Sequence, residues 1–410
     1  MSDADLDDFR LRCRTFLAEH ATRIDVSEGD DPRAEKALAA AKQFQGALVE
    51  AGLSGVTYPT KYGGQGLSGA HERVWREEAG TFPVMTRQLS ISHGMALPML
   101  NEYGSDEQRS TYQAKVIGAE EVWCQMFSEP GAGSDVASLQ SRAVLDGDEW
   151  ILNGQKVWTT LAHVCERGLI IARTDLDQPK HRGISMFILD MNAPGVEIRP
   201  IHQIDGGMRF NEVFFTDVRI PADHQIGPIN EGWRLATAML MYERVAIGGG
   251  QSLGINHDRA DLLIKEAKRR GKLDDSVLRQ ELMKLYAAEV CQSLLGMQTR
   301  AALQAGKTPG PGGSLGKLAG ANIAATYRGL SLGVVGVEGV AWESNNRWAT
   351  EALGTFASGI AGGTDQIQRN IIGERVLGLP REPSVDKDLP FRDLKVGTQV
   401  TGSQGQRADV

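Results

Sequence analysis

Three stretches of the sequence hold residue types able to do chemistry on a small organic ligand. In GWRLATAMLMYERVAIGGGQSLGIN, which begins at Gly232, the only charged side chains from Leu235 to Asn256 are Glu243 and Arg244. Trp233, Leu235, Met239, Leu240, Met241, Val245 and Ile247 fall on several faces of a helix, which predicts a largely buried segment. A carboxylate there is unfavourable unless it is paired or used. Used, it is a base for a proton on carbon, strengthened when water is expelled. Paired, it needs an arginine, and Arg244 is poorly placed because helix neighbours project about 100° apart. Another arginine would serve, so helix chemistry alone leaves both roles open.

The second stretch is GIAGGTDQIQRN, from Gly359 to Asn370. Its glycine pair lets backbone approach a ligand closely and vacates space that side chains would fill. A third segment, CQMFSEPGAGSDVAS from Cys124, joins an aromatic and a hydroxyl to a Pro/Gly/Ser turn. N–H groups exposed in such a turn can hold an anionic or carbonyl-rich ligand. It is not the dinucleotide fingerprint, because Val136 stands where the third glycine belongs. Nor is GKTPGPGGSLGK a phosphate loop: Pro311 replaces the first glycine and Leu318 the Ser/Thr, so it reads as an interhelical loop.

QMFSEPGAGSD, NGQKVWTT and GGTDQIQRNIIGERVLG follow one another at separations that resemble the acyl-CoA dehydrogenase family of flavoproteins, over about residues 5 to 382. YPTKYGGQG, YGSDEQR and NEVFFTDVRIPADHQIG are similar to that family as well. The resemblance implies a mostly α fold with a central β domain: an N-terminal helical domain (1–123), a middle β-barrel-like domain (124–228) and a C-terminal four-helix bundle (229–385). It also implies non-covalent FAD at a subunit interface, an acyl-CoA substrate and an electron-transfer flavoprotein as acceptor. By the same resemblance Gln125, Phe127 and Ser128 line the flavin ring. Ser134 meets pyrophosphate or the thioester end of the substrate. Trp158 and Thr160, with Thr159 between them, flank the isoalloxazine and its N5 edge, and Thr364 and Gln366 reach the cofactor from the C-terminal domain. Met241, Tyr242 and Arg244 share the segment that meets substrate. An aromatic wall, a few directed donors and exclusion of water are what a flavin needs.

Dehydrogenating an acyl thioester between Cα and Cβ requires a base for the α-proton, a hydride acceptor, and donors for charge building on the thioester oxygen. Many members of the family place the base as a glutamate just before the Gly-Thr of the last motif. That position here is Gly362, preceded by Ala361. Isovaleryl-CoA and long-chain acyl-CoA dehydrogenases instead keep the base on the earlier helix, in a position that matches Glu243, so the resemblance assigns Glu243 as base. Gly362 is then expected to act through its backbone N–H, which needs no side chain. The bare Ala361-Gly362 pair predicts room for a branched, long or bulky acyl group.

Two departures from the family stand out. Its Arg-x-x-Phe-Gly phrase, whose arginine meets FAD pyrophosphate across the interface, is missing from LIKEAKRRGKLDDSVLRQ, where Lys268, Arg269 or Arg270 would have to substitute. Its later Gly-Gly-Gln/Asn-Gly phrase reads Gly336-Val337-Glu338-Gly339, an awkward acid beside a phosphate. Either a homo-oligomer (tetramer or dimer) binds FAD through variant contacts, or a related subunit completes a shared site. A flavin oxidase or monooxygenase of the same fold, and an inactive structural subunit, are the remaining alternatives.

The elements that must position these residues follow from pattern. In DLDDFRLRCRTFLAEH, Leu6, Phe9, Cys13, Phe16 and Leu17 recur at helical spacing. EKALAAAKQFQGALVEAG predicts a helix stopped by Gly52, and Ser105 with Gln108 a capping box opening DEQRSTYQAKVI. From about Gln125 short β-prone runs take over, with Asp-Gly and Asn-Gly read as turns in VLDGDEWILNGQKVW. Helices resume beyond Gly232, and residues 386–410 read as a mobile tail. A chain of 410 residues with net charge −8 and no long basic run argues against nucleic acid or an anionic membrane surface as main partner. The cysteines Cys13, Cys124, Cys165 and Cys291 form no Cys/His cluster, so no metal is expected and buried free thiols are. Those thiols, an acidic N-terminus unlike a signal peptide and the lack of a membrane-length apolar run predict a cytoplasmic protein.

Overall fold

The computed structural model of the protein describes residues 3–21, 32–80, 82, 87–247, 257–304, 311–341, 346–383 and 387–394. Helix α1 (Asp3–His20) turns Phe9, Cys13, Phe16 and Leu17 inward, as their spacing predicts. They pack with Phe44 and Leu48 of α2 (Pro32–Glu50) and Val74 of α3 (Gly69–Ala79). α2 stops ahead of Gly52, whose φ of +65° suits a glycine after a helix end. Helices α4 (Leu97–Tyr103) and α5 (Asp106–Ile117) complete the N-terminal part. The capping box is present: Gln108 N donates to Ser105 Oγ at 3.1 Å and Ser105 N to Gln108 Oε1 at 3.0 Å.

The middle of the chain forms one sheet of β1 (Trp123–Met126), β2 (Arg142–Asp146), β3 (Glu149–Thr160), β4 (Arg167–Arg173), β5 (Ile184–Asp190), β6 (Val196–Ile201), β7 (Phe210–Pro221) and β8 (Gln225–Ile226). Its order is β6-β7-β3-β2-β4-β5-β8, with β1 running parallel beside β4. Asp146-Gly147 makes the expected hairpin turn between β2 and β3. Asn153-Gly154 does not; it lies within β3, where the register with β7 slips between Leu152 and Gly154. The glycine is needed there because a Cβ would come within 2.4 Å of Ser141 Oγ. A close approach of two strands had taken on the appearance of a turn.

Helices return as α6 (Gly232–Ile247), α7 (Asp258–Arg269), α8 (Ser276–Gln304), α9 (Gly312–Val335), α10 (Arg347–Gly354) and α11 (Asp365–Ile371). Leu263, Leu282, Leu285, Ile323 and Tyr327 join α7, α8 and α9 in one core. α6 packs on β5, α4 and α9, and so sits where the three parts of the chain meet. It is less enclosed than its composition predicts: Leu235, Ala236 and Met239 are buried but Met241 is exposed. The expected loop through Gly312–Lys317 is instead the first part of α9, with Pro311 at its N-terminal boundary. Among the described residues no helix is long and apolar enough to cross a membrane.

Two further expectations need correction. Cys291 is exposed on α8, whereas Cys13, Cys124 and Cys165 are buried. The tail boundary also moves, because residues 387–394 pack on the β domain while 395–410 lie outside the described residues. Phe391 N donates to Gln178 O at 2.9 Å and Arg392 N to Leu176 O at 3.1 Å. The Phe391 ring lies 3.6 Å from the guanidinium of the fully buried Arg173. Burial pulls that arginine down to about 10 against the attraction of Glu129, Asp135 and Asp175, and its guanidinium donates to the carbonyls of Lys180 and Ala137 beneath the ring. The tail's polar composition concealed this single aromatic anchor. Phe391→Ala should lower unfolding stability by about 3 kcal/mol, read from denaturant titration; a loss below ~0.5 kcal/mol would mean that the segment is not anchored.

Candidate active site

The predicted wall begins where β1 leaves the core. Phe127 is buried, Gln125 and Ser128 are half-buried, and Val157 N donates to Ser128 O at 2.9 Å, tying this segment to β3. Beside that tie Lys156 has none of its side chain exposed. Its Nζ donates to Glu129 Oε1 at 2.7 Å and to Phe127 O at 3.1 Å. Glu129 also accepts from Gln140 N at 2.6 Å and Ser141 N at 3.0 Å. Burial alone would push its carboxyl up; Lys156 and the two N–H groups outweigh that and hold it below its ordinary range. Burial pulls the Lys156 ammonium down, with Glu129 pulling back.

The far end of β3 carries the aromatic. A second register slip falls between Lys156 and Thr159, and Trp158 takes a left-handed φ of +62°. Such backbone costs a bulky residue about 1–3 kcal/mol, and here it swings the indole out to 58% exposure. Phe210 meets it edge-on at 6.1 Å. Asn211 Nδ2 donates to Thr159 O at 2.9 Å, and Leu161 N to Arg209 O at 2.8 Å, so β7 fixes the bulge from the other side. Thr159 Oγ1 is buried with no hydrogen-bond partner among the described residues.

The turn holding Ser134 is built by reciprocal backbone bonds between Glu129 and Ala132 and by Lys180 donating to Asp135 at 2.9 Å. Ser134 is exposed, and its Oγ lies 3.5 Å from Thr364 Oγ1. Two predicted residues 230 positions apart thus meet across the junction of the β domain and C-terminal helices.

On the helical side Gly362 and Gly363 have φ of +66° and +86°, a pairing glycine alone adopts without strain. The fully buried Gln368 donates from Nε2 to Gly362 O at 2.8 Å and Gly363 O at 3.3 Å. Thr364 caps α11, accepting from Ile367 N at 3.3 Å, and Asp365 pairs with buried Lys317 of α9 at 3.1 Å. Gln366 is exposed. Glu243 is half-buried on α6, and the preceding Tyr242 donates to Glu102 of α4 at 2.5 Å. The side chains of Arg244, Val245 and Ile247 lie outside the described residues.

Sequence reasoning missed four supporting residues: Lys156, Glu129, Gln368 and Lys317. Lys156 did carry a signal, since it shares the inward parity of Trp150 and Leu152 on β3, where a lysine is out of place. Gln366 and Gln368 look alike in the sequence, and only helix phase separates the exposed one from the buried one.

A helical–β–helical chain in which the Ser134 turn meets Thr364 beside the glycine pair, with an exposed aromatic and an orphaned hydroxyl at the end of β3, offers what a flat aromatic cofactor needs. The profiles of the acyl-CoA dehydrogenase N-terminal, middle and C-terminal domains match residues 3–120, 124–218 and 230–377. The relative named acyl-CoA dehydrogenase IpdE1, from Mycobacterium tuberculosis (strain ATCC 25618 / H37Rv), is 36% identical over 386 residues, covering 92% of this chain and 99% of its own. Among solved structures, the Tcur3481-Tcur3483 steroid ACAD superposes with a TM-score of 0.75 at 25% identity, covering 93% of this chain and 99% of that one. The ChsE4-ChsE5 complex from Mycobacterium tuberculosis gives 0.73 at 26% identity with the same coverage. The chain belongs to the acyl-CoA dehydrogenase family and is an oxidoreductase and flavoprotein.

FAD is the family's cofactor, and the residues present fit it. Thr159 offers a buried hydroxyl without a partner among the described residues, Trp158 an exposed aromatic face, and Gly133 open space where a Cβ would stand. Thr159→Val keeps the shape and removes only the orphaned hydroxyl. Thermal stability of the FAD-free protein should then change by less than about 1 kcal/mol, while FAD affinity falls about tenfold, one hydrogen bond's worth. Titrating FAD into both proteins checks it; equal affinities would place the cofactor elsewhere.

Proposed function

We propose that this chain dehydrogenates a bulky acyl-CoA thioester to its trans-2-enoyl form, with Glu243 taking the α-proton and the Gly362 N–H donating to the thioester oxygen. The observation that carries the reading is the state of the glycine turn. Its one carboxylate, Asp365, is committed to Lys317 at 3.1 Å, and Gly362 has no side chain. That turn supplies no base, and α6, which packs on β5 and α9, carries Glu243 as its one acid. Among the described residues the Gly362 carbonyl is held by Gln368 while its N–H donates to no acceptor, which suits it to receive an oxygen carrying developing charge.

When bound, FAD supplies the acceptor for the hydride leaving Cβ. The chain's residues do the rest. Glu243 holds the α-proton after transfer, and substrate closing over it raises its proton affinity by excluding water. Ser134 and Thr364 present hydroxyls from the two sides, and Trp158 with Phe127 and Ser128 offers the flat wall. Gln125, Thr160 and Gln366 are further cofactor contacts, and Met241, Tyr242 and Arg244 border the acyl group. The bare Ala361-Gly362 turn leaves volume for a ring-containing or branched acyl chain, and the word steroid in the name of a structural relative supports that class. Electron-transfer flavoprotein is the acceptor in this reading, and the three buried thiols suit a reducing cytoplasm.

A second reading, a heteromer with a shared FAD site, is favoured by Arg270. Its Nε donates to Glu266 at 2.6 Å and its other nitrogens to Glu338 at 2.7 Å and Val335 O at 3.1 Å, so little of its charge is left for a pyrophosphate. Arg269 is bound by Glu266 as well. Of the three candidate cations only Lys268 has no ion pair among the described residues; in this reading a related subunit brings the guanidinium, as the two-component name of the ChsE4-ChsE5 complex suggests.

Glu243→Gln should lower turnover by at least about a thousandfold while bound FAD per chain stays unchanged; retained activity would remove Glu243 from the mechanism. Purified alone, the chain should carry near-stoichiometric FAD if it is a homo-oligomer, and be colourless until mixed with its partner if it is a heteromer.

A further inference from the structure

We infer that the enclosed Lys156–Glu129 ion pair positions the flavin wall, holding Phe127–Ser128 and Trp158 at a fixed separation for FAD. The inference rests on the proposed placement of those residues against the flavin. The pair's partners point to positioning. Lys156 donates to the carbonyl of Phe127, the residue at the wall itself, and Glu129 accepts from the N–H groups of Gln140 and Ser141. Three chain segments are therefore fixed to one another by two side chains with almost no exposure. The next residue along β3, Val157, bonds to Ser128 O, and the one after it is Trp158 in its left-handed conformation.

That order has a mechanical consequence. A strand relaxes a strained residue by sliding its register, which turns alternate side chains to the other face. Sliding β3 here would draw a buried ammonium off its carboxylate, leaving the ammonium unanswered and Glu129 with only its two N–H donors. The pair blocks that relaxation on one side of Trp158, and Asn211 bonded to Thr159 O blocks it on the other. Lys156 and Glu129 are positioning residues in this account: neither is assigned a contact with substrate or cofactor.

The test uses the FAD-loaded protein, alone or assembled with its partner subunit. Lys156→Met and Glu129→Gln are compared with Trp158→Phe, which reports the flavin's aromatic neighbour directly. Gln45→Leu serves as control: it removes a buried side chain bonded to Ser54 Oγ and Ile117 O in the N-terminal helices. The readouts are FAD affinity, the flavin visible absorption band and Tm. Lys156→Met should weaken FAD binding by about tenfold or more and shift the band in the same sense as Trp158→Phe. Gln45→Leu should lower Tm and leave affinity and band as in the wild type. A Lys156→Met protein that loses Tm like the control but binds FAD with wild-type affinity and spectrum overturns the inference. Where that variant does not fold, Glu129→Gln, which keeps the lysine and the side-chain shape, decides by the same readouts. An unshifted band in Trp158→Phe overturns the underlying placement of the wall, and the inference falls with it.

Discussion

A lysine wholly withdrawn from water must have its charge answered by atoms within reach, and in this chain that requirement organises the β side of the site. Lys156 is answered by Glu129 and by the Phe127 carbonyl, and Glu129 in turn by two backbone N–H groups. Such a pair is seldom a large net source of stability, because removing two charges from water offsets most of their attraction. Its effect is geometric. With the exit of β1, the segment at Gln140-Ser141 and the second half of β3 fixed together, the strain at Trp158 has no inexpensive way to relax.

The helical side meets that wall through different physics. Two successive left-handed residues make a turn only glycine tolerates, and the buried amide of Gln368 fastens both their carbonyls. Lys317 anchors the next residues through Asp365, and Thr364 caps the helix that follows. The turn is thus rigid without presenting a side chain of its own. A pair of hydroxyls, Ser134 and Thr364, 3.5 Å apart, links it to the β domain. One side supplies an exposed aromatic and the other a bare, oriented backbone, while α6 packs on β5, α4 and α9 and carries its acid at Glu243.

Much of the fold was legible in the sequence because local physics and tertiary packing agreed. The spacing of Phe9, Cys13, Phe16 and Leu17, the box formed by Ser105 and Gln108, and the Asp146-Gly147 turn each have one inexpensive solution. Reading failed where a local signal served a distant contact. Gly154 looks like a turn residue but answers the approach of Ser141, and Phe391 looks like part of a polar tail but sits over Arg173. The motif residues of the site were visible only as a joint pattern resembling a family. Of the residues that hold them, Lys156 is betrayed by its inward parity on β3, whereas Glu129, Gln368 and Lys317 depend on what stands opposite across the fold, which no spacing along one chain records.

The departure of this chain from the common pattern is one of location: position 362 in the glycine turn holds no glutamate, and the much earlier helix α6 carries Glu243. If that exchange opens room for a bulky acyl group, anaerobic mixing of the FAD-loaded protein with CoA thioesters should reveal it in the flavin colour. The account predicts rapid bleaching by a branched or steroid-side-chain acyl-CoA and slow or no bleaching by butyryl-CoA. Preferential bleaching by butyryl-CoA, or no bleaching by any thioester in a fully loaded protein, would contradict it.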